Sequence, residues 1–202
     1  MHTGIIWIRN ALRLNDNRVL VESLNSTNSQ NILPLYILDK SDLRQKNNDN
    51  RIKFLYESLI DLDSKFKAKL GTNLVILNGS SEDIFDKLLS SDLLNISEIF
   101  TDYSNKPDDV KNENSLKRIL AKNTSVKLHL ISKVNSLTNI EEIVNQESFK
   151  PPKTMKDMEK LFSNIYPKDE DGFYSIDEPL DIPESSKPCL LYTSPSPRDT
   201  DK

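Results

Sequence analysis

Glycine is scarce in this 202-residue chain: Gly4, Gly71, Gly79 and Gly172 are the full set. No pair has the spacing of G-x-G-x-x-G, of a P-loop or of a G-x-S-x-G elbow. That excludes a dinucleotide fingerprint, a Walker A phosphate cradle and a hydrolase nucleophile turn. Histidine and cysteine are scarcer still, with only His2, His129 and Cys189. A Cys/His zinc site and an intrachain disulfide are excluded by count. No apolar run approaches the roughly 18 residues of a membrane span. Residues 1–10 lack the basic start and long apolar core of a signal peptide, so the expected compartment is reducing, cytoplasmic or nuclear. Positive charge is not in excess either. Lys and Arg total 27 against 31 Asp and Glu, for a net charge of −4. Duplex-binding surfaces usually carry a basic surplus, so the balance argues against nucleic-acid binding by this segment alone. Apolar residues make up 36% of the chain, while asparagine alone supplies 20 residues. An average domain is roughly 45–50% apolar, which predicts that part of this chain is not packed.

What is present alternates between two periods. Residues 4–8 (Gly-Ile-Ile-Trp-Ile) and 32–38 (Ile-Leu-Pro-Leu-Tyr-Ile-Leu) are short, β-branched-rich apolar runs that read as buried strands. Pro34 belongs near a strand start or at an irregularity. Further strands are expected at 73–77, 96–101 and 126–131. Between them, Leu55, Leu59, Leu62, Phe66 and Leu70 recur at steps of 4, 3, 4 and 4, the stripe of an amphipathic helix. Asn50 reads as its N-cap and Gly71 as its C′ residue. Ser80 and Asp83 resemble a capping box ahead of Ile84, Phe85, Leu88 and Leu89. Weaker helices are expected at 17–25, 108–122, 139–146 and 154–164. The βαβαβαβαβ alternation predicts a Rossmann-like, doubly wound five-stranded parallel sheet with helices on both faces, over residues 3–134. Residues 135–165 then read as an exit linker with short helices.

From Tyr166 the pattern dissolves. Six of the ten prolines lie between 167 and 197, and no apolar periodicity survives, so 166–202 reads as a disordered tail. Within it, Cys189-Leu190-Leu191-Tyr192-Thr193-Ser194-Pro195-Ser196-Pro197-Arg198-Asp199 resembles an in-frame translation of a transposase sequencing adapter. On that reading 189–202 is artefactual, and the natural reading frame departs near Pro188. The alternative is a genuine Ser/Pro linker.

In a doubly wound sheet, ligands bind beyond the carboxyl ends of strands where strand order reverses. The rule selects Arg9 and Asn10 after the first strand, Asp39 after the second, and Asp102 and Tyr103 after the fourth, as one candidate cofactor-binding crevice. Arg9 offers a planar fork for a carboxylate or phosphate, and Tyr103 a stacking face. The bland reading, a solvated strand end, has equal weight on chemistry alone. Arg13 and Asp16 can pair locally, although helix capping by Asp16 or Asn17 is the stronger reading. His129 reads as structural and Trp7 as core. No catalytic residue and no metal ligand emerges.

The same residues resemble a known family. Trp7 to Asn17 carries W-x-R-x-x-L-R-x-x-D-N, similar to the opening of photolyases and cryptochromes. Tyr36-Ile37-Leu38-Asp39 resembles their second strand. Arg51 to Asp63 resembles their R-x-x-F-L-x-x-S-L-x-x-L-D helix, and Leu74 to Gly79 the strand and glycine that follow. Tyr103, Pro107 and the Pro151-Pro152-x-Thr154 exit extend the likeness over residues 3–163. Departures are Lys106 at an acidic position, Asn135-Ser136-Leu137-Thr138-Asn139 where the family has H-x-L-Y-D, and Met155 for a tyrosine. The resemblance implies the N-terminal antenna, or light-harvesting-type, domain of a blue-light flavoprotein. In the family this domain can hold a pterin or deazaflavin. A separate C-terminal helical domain binds FAD and, in photolyases, docks damaged DNA. The fragment lacks that domain and is expected to be inactive alone, with FAD belonging to the full-length parent. Expected partners are that missing domain and, for the parent, DNA or clock and signalling proteins. Light-driven carbon–carbon lyase activity would belong to a parent of the repair branch. Alternatives are a non-catalytic regulatory domain of a divergent cryptochrome and a stand-alone nucleotide-binding α/β domain.

Overall fold

The computed structural model describes residues 2–39, 49–91, 94–122, 125–136, 139–147, 149–166, 168–173 and 179–183. Five strands, β1 (Thr3–Ile8), β2 (Asn31–Leu38), β3 (Val75–Asn78), β4 (Ile96–Asp102) and β5 (Lys127–Ile131), form one sheet in the order β3-β2-β1-β4-β5. Every pairing is parallel. β1 and β2 are buried at every residue, as expected of strands covered on both faces, whereas β3 at the edge alternates between half-buried and exposed. Pro34 lies inside β2 in register with Ile6. β2 gains its second neighbour only at Leu35, opposite Val75, so the proline sits where the strand is still an edge.

The strand period of two sorts the core into two layers. Ile6, Ile8, Ile32, Tyr36 and Phe100 pack with helices α1 (Arg18–Asn25) and α2 (Asp49–Leu70), through Leu20, Leu24, Leu55, Leu59, Leu62 and Phe66. Ile5, Trp7, Leu33, Leu35 and Ile99 pack on the opposite side against α3 (Ser81–Ser90) and α4 (Pro107–Leu120), through Ile84, Phe85, Leu116 and Leu120. The sheet is therefore wound on both faces. Trp7 is a core residue, its ring 4.9 Å from that of Phe85 in an edge-on contact.

Capping differs from expectation at one helix. Asn50 lies inside α2, which already includes Asp49, and so does not cap it. The stripe of leucines fixes the helix face but not its first residue. At the other end Gly71 takes φ 62 and donates its N–H to the Lys67 carbonyl, the left-handed C′ position. Asn17 caps α1, accepting from the Leu20 N–H, and Ser80 caps α3, accepting from the Asp83 N–H.

Compactness divides the chain into one unit of Met1–Asn135 with Leu180–Lys202 and a second of Ser136–Pro179. The second unit holds α5 (Ile140–Val144) and α6 (Met155–Ile165), the latter opened by a reciprocal capping box between Thr154 and Asp157. The stretch after Tyr166, expected to carry no structure, has two structured pieces among the described residues. Asp169 and Phe173 close a turn through two hydrogen bonds, with Gly172 at φ 84. Leu180 bonds to Asp16, and Ile182 packs on the α1/α2 core layer. An isolated apolar residue such as Ile182 can dock singly without any periodicity. Residues 189–202, expected to be artefactual, lie outside the described residues.

Candidate functional site

The sheet order reverses between β1 and β4, so chain leaving their carboxyl ends diverges and opens a crevice there. A cavity of about 260 Å³ occupies this point, lined by Arg9, Asn10, Tyr36, Asp39, Lys106 and Asp109 among others. A second, wider concavity of about 430 Å³ shares Arg9, Asn10 and Tyr36 and continues towards Arg51 and Phe54 on α2.

Of the five residues expected here, Arg9, Asn10 and Asp39 line the crevice. Asp102 is buried behind it and is tied to both Arg9 and Asn10. Tyr103 is not among the lining residues, and its N–H donates to the Ile131 carbonyl across to β5. The Arg9 fork does not point to an incoming anion. Its Nε donates to Asp102 Oδ1 at 3.2 Å and a terminal nitrogen donates to the Asp102 carbonyl, with both side chains more than nine-tenths buried. The guanidinium carbon lies 4.9 Å from the Trp7 ring centroid, a cation–π contact beneath the ion pair. Burial of both partners is the physical reason for this choice. A buried carboxylate at the end of β4 needs a counter-charge, and the only arginine at the end of β1 is beside it.

Asn10 is the bridge. Its Nδ2 donates to Asp102 Oδ2 and to Asp109 Oδ2, each at 2.9 Å, and its Oδ1 accepts from Lys106 Nζ at 2.6 Å. Asn135 Nδ2 also donates to Asp102 Oδ2 at 2.9 Å, and Ser104 Oγ to Asp109 Oδ2 at 2.6 Å. Burial pushes the Asp109 carboxyl up. Hydrogen bonds from Ser104 and Asn10, with the charges of Arg9 and Lys106, outweigh burial and hold it below its ordinary value. Asp109 and Lys106 were not named as site residues from sequence. Their signal was the Lys106-Pro107-Asp108-Asp109 start of α4, where proline and two acids in the first turn mark a helix beginning at a strand's carboxyl end.

A different polar cluster lies at the start of β4. Glu98 is buried and accepts from Ser26 Oγ at 2.6 Å and Asn28 Nδ2 at 3.2 Å. His129 Nε2 lies 3.0 Å from Glu98 Oε1, and its ring stacks on Phe100 with centroids 4.5 Å apart. These contacts give His129 the structural role expected of it. Burial opposes ionisation of Glu98, but its three hydrogen-bond partners win and lower its pKa.

The fold and crevice define a class: a doubly wound α/β domain with a ligand-sized cleft at its topological switch point. Within that class, the DNA photolyase family model matches residues 4–172, and the chain belongs to this family. It is 29% identical over 182 residues to Cryptochrome-1 of Spalax judaei, covering 89% of this chain and 28% of that protein. It is 28% identical over 194 residues to Cryptochrome-1 of Sylvia borin, covering 95% and 29%. The chain thus spans less than a third of the length of the curated relatives it matches. Among solved structures, a Synechocystis cryptochrome superposes with a TM-score of 0.73 at 20% identity, over 92% of this chain and 36% of that one. An archaeal photolyase from Sulfolobus tokodaii, described with two FAD molecules, gives 0.61 at 17% identity, over 91% and 37%. Among the described residues, no helix is long and apolar enough to cross a membrane.

Proposed function

We propose that this chain forms the antenna-type α/β domain of a cryptochrome or DNA photolyase blue-light flavoprotein. The flavin chemistry then resides in a C-terminal FAD-binding domain, and this chain is inactive alone. The observation that carries the reading is the crevice at the sheet's reversal point, reached by Arg9, Asn10 and Asp39 from two strand ends.

FAD needs a diphosphate cradle, and the chain has no glycine-rich loop to supply one, while Arg9 at the crevice is already paired with Asp102. FAD is therefore the poorer match to the described residues. A pterin or deazaflavin edge fits better, since it asks for a flat apolar wall with a few polar groups. Tyr36 lends its ring to such a wall, and the Lys106–Asn10 pair supplies polar groups. When bound, such a group absorbs blue light and passes the excitation on.

Separate titrations of the purified chain with a reduced-folate pterin, a deazaflavin and FAD test the reading. The expected result is a saturable change in chromophore fluorescence that is weakened in Lys106→Ala, an exposed residue lining the crevice. Saturable FAD binding would contradict it. Absence of binding by all three would favour the second reading, a regulatory domain whose partners are clock or signalling proteins in the cytoplasm or nucleus. That reading draws on the mutual satisfaction of Arg9, Asn10, Asp102 and Asp109, which leaves few polar groups for a ligand.

A further inference from the structure

Arg13 and Asp16 sit in the turn between β1 and α1, where local pairing and helix capping compete. Capping is done by Asn17, whose Nδ2 also donates to the Arg13 carbonyl at 2.8 Å. The other two side chains reach far along the sequence. Arg13 Nη2 donates to the Val134 carbonyl at 2.6 Å, 121 residues away. Asp16 engages Leu180, 164 residues away, twice. The Leu180 N–H donates to Asp16 Oδ1 at 3.2 Å, and the Asp16 N–H donates to the Leu180 carbonyl at 3.3 Å. Arg13 joins the two grips, because its Nε and Nη2 donate to the Asp16 carbonyl at 3.3 and 3.1 Å.

We propose that Arg13 and Asp16 form a two-sided clamp, holding the chain where it leaves the α/β unit at Val134 and where it returns at Leu180. Val134 and Leu180 both belong to the first compact unit, so the clamp ties two stretches of that unit, far apart in sequence, to one turn. Two further features belong to the clamp. Asp16 holds φ 50, a left-handed conformation that aspartate adopts more readily than most residues with a side chain. Beside it, Ile182 packs on the core, and Leu180 to Pro183 line a concavity of about 430 Å³ together with Asn15, Lys69 and Leu70.

Amide hydrogen exchange on the full 202-residue chain tests the clamp. Asp16→Gly removes the carboxylate and tolerates φ 50, so turn strain does not confuse the result. Loss of the side-chain grip should speed exchange at Leu180 and Ile182 roughly five- to tenfold, the factor for a net hydrogen bond, with Asn135 unchanged. Arg13→Ala should speed exchange at both Asn135 and Leu180, because it loosens Asp16 as well as Val134. Lys65→Ala, an exposed helix pair with Asp61, should change neither. Buried Trp7 fluorescence reports that each variant is folded; if Arg13→Ala is not, Asp16→Gly carries the test alone. Unchanged exchange at Leu180 in Asp16→Gly, with release only in Ile182→Ser, would overturn the clamp in favour of simple apolar docking. So would coil-like exchange at Leu180 in the unaltered chain.

Discussion

Replacing Arg9 by Met separates an internal ion pair from a ligand-binding arginine. Asp102 sits with its side chain 3% exposed and receives two kinds of support. Arg9 supplies charge and two donors, while Asn10 and Asn135 supply neutral donors to Oδ2. Arg9→Met keeps the apolar stem over Trp7 but leaves the carboxylate with neutral donors alone, the two asparagines and a long bond from Thr101 Oγ1 at 3.5 Å. Breaking a buried pair from one side costs about 3–5 kcal/mol. The two remaining asparagine bonds place the expected loss at the lower end, about 3 kcal/mol. In a chain of this length that corresponds to a fall in Tm of roughly 6–12 °C. Arg9→Met with Asp102→Leu removes both charges. It should lose less than the sum of the single changes, with a coupling of about 1–3 kcal/mol. Urea unfolding followed by Trp7 fluorescence is the assay, since Trp7 is the only tryptophan and lies under the guanidinium. Additive losses, or a loss below about 1 kcal/mol for Arg9→Met, would refute the pairing. Arg9 would then be free for a ligand after all.

Leu59→Ala, at a position 1% exposed in the middle of α2's buried stripe, should cost about 2–5 kcal/mol by the same urea assay. Glu98→Gln should flatten the acid limb of the stability curve. The folded-state pKa of Glu98 is depressed, so its contribution is complete above the usual carboxylate range, about pH 4. It is lost as pH falls through the folded value; melting scans across the acid range would show the same slope in both proteins if the idea is wrong. Deleting residues 189–202 should leave Tm unchanged, and a shift of several degrees in calorimetry would show that those residues pack.

Most of the α/β architecture is decided locally and can therefore be read from the chain alone. Ile5, Trp7, Leu33 and Leu35 alternate with Ile6, Ile8, Ile32 and Tyr36, and a strand's period of two sends the two sets to opposite core layers. The leucine stripe of α2, the caps at Asn17 and Ser80, and the left-handed Gly71 are likewise written within a few residues of one another. The position of the crevice also follows from sequence, because alternating elements and connection rules place the strand ends together. Only the tertiary structure decided what the polar residues there do. Arg9 and Asp102 are 93 positions apart, and whether the arginine meets a ligand or a carboxylate depends on the register that brings β1 beside β4. The same holds for the hold of Arg13 on Val134 and of Asp16 on Leu180. A single donor meeting a single distant carbonyl leaves no periodic trace in the chain. Apolar burial is a collective quantity that repeats along an element, whereas a long-range hydrogen bond is one pairing whose partner only the folded chain selects.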